Sequence, residues 1–128
     1  RLNKRLLFGA VNLSVKDIVG TIHSMGGLAV ASHIDKEIFS ILSQLGFIPY
    51  DIEFDALEIS YNTKKETAEA LFREYKFIPW ITSSDAHQLD DIGRRTTTFF
   101  LEEPSFDEIA RAFKGERKIK WCDELTKE

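Results

Sequence analysis

Gly26-Gly27-Leu28-Ala29-Val30-Ala31-Ser32-His33 packs a helix stop, a short apolar run and a histidine into one stretch. The first glycine suits the left-handed position that closes a helix. Leu28 to Ala31 shows no alternation, as a strand buried on both faces would read. Two later stretches repeat the form: Asp55-Ala56-Leu57-Glu58-Ile59-Ser60, and Ile78 to Ser83 running into Ser84-Asp85-Ala86-His87. In each, a β run ends in polar, ligand-type side chains, the way α/β-barrel enzymes build sites at one end of their strands.

The intervening segments read as helices. Ser14 with Asp17 forms an N-terminal cap, and Val15, Ile18, Val19 and Ile22 recur at helical spacing. A second helix is expected from Lys36 to Leu45, stopped by Gly46, and a third from Lys64 to Tyr75. Thr96 to Leu101 has strong β propensity. Ser105 and Glu108 carry the signature of a capping box. The expected order is α-β-α-β-α-β-β-α, which implies a largely parallel sheet with right-handed crossovers. Such units suit part of a barrel. Residues 1–115 are assigned to it, and 116–128 to a charged C-terminal tail anchored by Trp121. Gly26-Gly27 follows a helix and precedes a strand, so a Rossmann phosphate loop is excluded.

Composition narrows the function. The 128 residues carry a formal charge of −4, which gives no reason to expect strong nucleic-acid binding. No apolar run is long enough to cross a bilayer, so no membrane partner is expected. Cys122 has no second cysteine to pair with, in keeping with a reducing cytoplasm. Met25 is the sole methionine, so Arg1 is not an initiator and the chain reads as a processed product or a piece of something longer.

Asp85-Ala86-His87 is the sharpest chemical feature. Two residues apart on extended backbone, carboxylate and imidazole point to one side, and mixed oxygen and nitrogen donors suit zinc, manganese or iron. A bland alternative has Asp85 capping a turn and His87 at the surface. His33 ends a buried strand where both ring nitrogens need partners, and exits of parallel strands share a rim, so it can join Asp85 and His87. Three ligands are too few for a multinuclear site, so others must come from elsewhere. His23, inside the first helix, is left out of the site. Glu58 reads as a supporting or structural group. Ser60, Asn62, Ser83 and Ser84 are possible substrate contacts. Arg94-Arg95 is either a phosphate fork or, by default, a solvated pair.

At these residues the sequence resembles the PHP (polymerase and histidinol phosphatase) metallohydrolases. Gly26 to Asp35 resembles that family's third motif, and Ser84-Asp85-Ala86-His87 with Gly93 its fourth. Leu45 to Pro49 and Asp55 to Ser60 look like one branch of PHP phosphoesterases. The resemblance implies the C-terminal portion of a distorted seven-stranded β/α barrel, with His33, Asp85 and His87 as ligands in a cluster of up to three metals. It implies hydrolysis of phosphate esters, with a phosphorylated small molecule the expected substrate and nucleic acid less favoured. The family's first motif, a His-X-His pair, and its second-motif ligand are absent. By this reading the chain alone binds metal weakly, and either meets a missing N-terminal half or self-associates. The rival reading is a non-catalytic regulatory or interaction domain that keeps the fold.

Overall fold

The computed structural model describes residues 11–122. The Leu6-Leu7-Phe8 segment, a candidate first strand by sequence, lies outside them. The element order is α1 (Val15–Ser24), β1 (Val30–Ala31), α2 (Ile41–Leu45), β2 (Ala56–Ile59), α3 (Lys65–Leu71), β3 (Trp80–Thr82), β4 (Thr96–Phe100), α4 (Phe106–Phe113) and β5 (Lys118–Cys122).

Strands β1, β2 and β3 form a parallel sheet in that order, with Val30 opposite Ala56 and Glu58 opposite Ile81. Strands β4 and β5 form a separate antiparallel pair. The fold is thus mixed α/β, with its parallel strands where the sequence places them. Side chains alternate across a strand, so Ala31, Leu57 and Ile59 share one face. There they pack with Ile34, Ile48, Ala68, Tyr75 and, from β5, Trp121. Leu57 and Ile59 are wholly buried, each contributing about 1.5–3 kcal/mol of transfer free energy.

The connection from α1 to β1 shows why two glycines are needed. Gly26 sits at φ +76, where a side chain would be strained. Gly27 donates its N–H to Ile22 O at 2.9 Å, and a Cβ there would lie 2.8 Å from Ile22 Cγ2. The first glycine turns the chain and the second allows the close approach.

Several expectations need correction. The run Leu28 to Ala31 is not buried on both faces: among the described residues β1 pairs only with β2, and Val30 stands 36% exposed. The helix expected from Lys36 begins only at Ile41. Ser40 accepts from Ser43 N–H and donates to Lys36 O, drawing the backbone into a cap, while Phe39 takes φ +63. Helix α3 stops at Leu71 and gives way to a tighter turn, Arg73–Tyr75. The capping box at α4 is half formed. Ser105 accepts from Glu108 N–H at 3.3 Å, but the Glu108 carboxylate goes to Glu102 N–H, Arg111 and Arg117 instead.

The segment read as the start of a charged tail forms β5. Its charges alternate with Ile119 and Trp121, which face inward while Lys118 and Lys120 are exposed. The β4–β5 pair closes the outer edge of β3 without joining its ladder. Leu57 N–H donates to Pro79 O, so the backbone groups of Trp80 and Thr82 face away from β2. Thr97 Oγ1 meets Thr82 N–H at 2.8 Å and Thr82 O at 2.7 Å, and Trp121 Nε1 donates to Trp80 O at 3.0 Å. These contacts satisfy an edge that would otherwise invite another strand.

Candidate functional site

Because the three strands run parallel, the residues that follow them share one rim: His33 after β1, Ser60 after β2, and Ser83 to His87 after β3. Two of these residues are held in unusual backbone. His33 has φ +27 and Asp85 has φ +46. For residues with a Cβ, such angles cost free energy and persist only where the surroundings enforce them.

The enforcing contacts are visible. Glu58, on the middle strand, accepts His33 N–H on Oε2 at 3.2 Å and the Ser83 hydroxyl on Oε1. Arg94 donates from Nε to Ser84 O at 2.7 Å and from Nη2 to Asp85 O at 3.1 Å. Its Nη1 meets Asp91 at 2.9 Å, and its guanidinium lies 3.4 Å from the centre of the Tyr61 ring. Ser84 Oγ receives Gly93 N–H and donates to Arg95 O. Arg95 is buried and donates to Thr63 O. Arg94-Arg95 is therefore not a solvated pair. The adjacent arginines act on backbone carbonyls, where Arg's planar fork is well suited, and lock the loop that carries Asp85.

Asp85 is half-buried and its Oδ2 lies 2.5 Å from Lys36 Nζ. The Lys36 ammonium holds the Asp85 carboxyl below the usual carboxylate range, and His87 and His33 push it in the same direction by charge. Both imidazoles are thus within electrostatic reach of this carboxylate. The sequence reading missed Lys36, although its place three residues after His33 puts it on the same rim. His87 Nδ1 is 2.9 Å from Asp85 O. A carbonyl only accepts, so Nδ1 donates and the neutral ring offers Nε2 as its lone pair. His33 Nδ1 is buried with no hydrogen-bond partner, an exception to the rule for buried polar atoms.

The donor set fits a divalent metal in kind: two imidazoles and one ionised carboxylate. It does not close by itself. Among the described residues, no three His, Cys, Asp or Glu side chains are gathered so as to hold a metal ion. A cation at Asp85 also has to share that carboxylate with Lys36.

Beside the rim lies a cleft of about 520 Å³ lined by Asp35, Lys36, Phe39, Ser60, Asn62 and Thr63. Asp35 is consumed in holding it, accepting Ser60 N–H at 2.8 Å, the Ser60 hydroxyl, and Thr63 Oγ1 at 2.5 Å. His23 lies at the other end of the sheet. Its Nε2 is 2.9 Å from Asp55 Oδ2, which also accepts Ala29 N–H at 2.7 Å. Among the described residues no helix is long and apolar enough to cross a membrane.

Comparison with known proteins bears out the resemblance read from the motifs. Residues 62–117 match the model of the PHP-associated family, a span that includes Asp85 and His87 but stops short of His33. The chain is similar to the uncharacterized protein YqxK of Bacillus subtilis, 31% identical over 127 residues, covering 91% of this chain and 30% of the relative. It is also similar to the lesion-specific endonuclease PfuEndoQ from Pyrococcus furiosus, with a TM-score of 0.73 and 25% identity over 85% of this chain and 29% of that one. The chain thus spans under a third of either relative. These matches support a PHP-type fold.

Proposed function

We propose that this chain supplies the later-strand share of a metal-dependent phosphoester hydrolase site, as one portion of a larger β/α barrel. The observation that carries this reading is the paired backbone strain at His33 and Asp85, at the exits of β1 and β3. Strain of this kind clusters at functional sites. Similarity to the PHP-associated family over residues 62–117 supports this reading on the Asp85 side of the rim.

In this reading His33, the Asp85 carboxylate and His87 would hold zinc, manganese or iron. When bound, such a metal polarises the phosphoryl group and lowers the pKa of water toward neutrality. The chain's own residues do the rest. Glu58 and Arg94 fix the backbone from which the donors project. Ser60, Asn62 and Thr63 line the cleft in which the organic part of the ester is received. Lys36 supplies a positive charge at the same rim.

Similarity to a lesion-specific endonuclease brings DNA forward as the carrier of the phosphoester. The acidic balance of this chain favours a small phosphorylated molecule or a narrowly held DNA backbone over broad electrostatic binding. A second reading, a domain that keeps the fold without catalysis, draws on the Lys36–Asp85 ion pair, which engages a proposed ligand.

The test is turnover by the full-length protein with Mn²⁺, using an aryl phosphate and a lesion-bearing DNA duplex, beside the Asp85→Asn variant. We expect hydrolysis of one substrate, falling by roughly a hundredfold or more in Asp85→Asn. A folded protein that turns over neither substrate with any of the three metals would favour the non-catalytic reading.

A further inference from the structure

Glu58 is hard to explain as a folding residue. It sits in the middle strand of the sheet, flanked by the wholly buried Leu57 and Ile59. Alternation turns its side chain to the opposite face, with Val30 and Ile81 on the flanking strands. A β-branched apolar residue is the natural occupant of such a place, and Glu is disfavoured in strands. Glu58 is half-buried there, and its carboxylate costs free energy unless its oxygens are hydrogen-bonded.

They are used on the rim. One oxygen holds the backbone N–H of His33 and the other the hydroxyl of Ser83, so a single side chain ties the exits of β1 and β3 across β2. The first bond is made to the strained residue itself, and the second lies two residues before the strained Asp85. We propose that Glu58 is a positioning residue: it sets the spacing between His33 and the Asp85 segment, and through it the affinity of the rim for a divalent cation. This rests on the proposed metal site and adds to it the element that aligns the two donors. Groups one step removed from a metal typically change its affinity by about 10–100-fold when lost.

The test is a Mn²⁺ titration of the full-length protein and of Glu58→Gln and Glu58→Ala, with amide hydrogen exchange at His33 followed by NMR without metal. In Glu58→Gln the amide oxygen can still accept His33 N–H, while the amide nitrogen donates to Ser83 Oγ. We expect Glu58→Gln to bind Mn²⁺ within about threefold of the parent, and Glu58→Ala to bind it about 10–100-fold more weakly. Glu58→Leu, which fills the same face, replaces the alanine variant if that one does not fold. Unchanged affinity in the alanine or leucine variant would overturn the proposal. So would an equal loss in Glu58→Gln, which would make Glu58 a ligand in its own right. If the parent binds no Mn²⁺, the metal reading fails on its own, and the exchange data decide the rest. Faster exchange at His33 in Glu58→Ala but not in Glu58→Gln sustains the tie between strands, and no difference removes it.

Discussion

His23 and His33 stand at opposite ends of the same short strand, and their surroundings differ in kind. His23 faces Asp55, whose carboxylate also takes Ala29 N–H, so the ring's Nε2 and that backbone donor are paired within the fold. At the other end, His33 sits on strained backbone with its Nδ1 buried and without a partner. An unsatisfied buried polar atom costs about 1–3 kcal/mol, so the second arrangement detracts from stability where the first adds to it. One rim is paired within the fold, and the other is where the proposed metal would bind.

The comparison can be broken most directly at Asp55. Replacing it with alanine strips both His23 and Ala29 N–H of their acceptor, and should cost roughly 2–3 kcal/mol of stability while leaving Mn²⁺ affinity unchanged. Urea denaturation beside a metal titration checks both halves, and a loss of metal binding without loss of stability would erase the distinction between the rims. A smaller effect is expected at Gly27. An alanine methyl there meets Ile22 Cγ2 at 2.8 Å, so Gly27→Ala should cost about 1–2 kcal/mol through overpacking. A melting temperature equal to that of the parent would show that Ile22 gives way freely.

The last effect is read in acid. Glu108 shows what a saturated carboxylate looks like. Arg117, Glu102 N–H and Arg111 hold its pKa down to about 2 from an ordinary 4.5. Its folded value lies below its unfolded one, so the stability it contributes is complete above about pH 4.5 and is lost as pH falls through about 2. The gap in melting temperature between the parent and Glu108→Gln should therefore be widest near neutral pH and shrink toward pH 2. A gap independent of pH would mean that packing, not charge, sets the contribution of this residue.

Much of the fold was legible because its signals are local. Ser14 with Asp17, the Gly26-Gly27 stop and the apolar run through Leu57 and Ile59 each act within a few residues, and each appears in place. Strand β5 was hidden because its short alternation lies inside the charged run from Glu116 to Glu128, and only pairing with β4 reveals it. At the rim, parallel pairing could be inferred, so the shared placement of His33, Asp85 and His87 was within reach of the sequence. The Lys36 ammonium, the inward turn of Arg94 and the use of both Glu58 oxygens were not, because each depends on a partner more than eight residues away. The sequence motif also says nothing of the left-handed backbone at His33 and Asp85, where most residue types would relax.

The central claim is that His33, and not His23, is reserved for a metal. The measurement that bears on it most directly is a Mn²⁺ titration of the full-length protein and its His33→Ala and His23→Ala variants, with stability recorded for each. The account predicts that His33→Ala weakens binding by roughly a hundredfold or more while losing little stability, since no hydrogen bond to its buried nitrogen is broken. It predicts that His23→Ala binds as the parent does and is the less stable of the two. His33→Ala binding Mn²⁺ as tightly as the parent would contradict it.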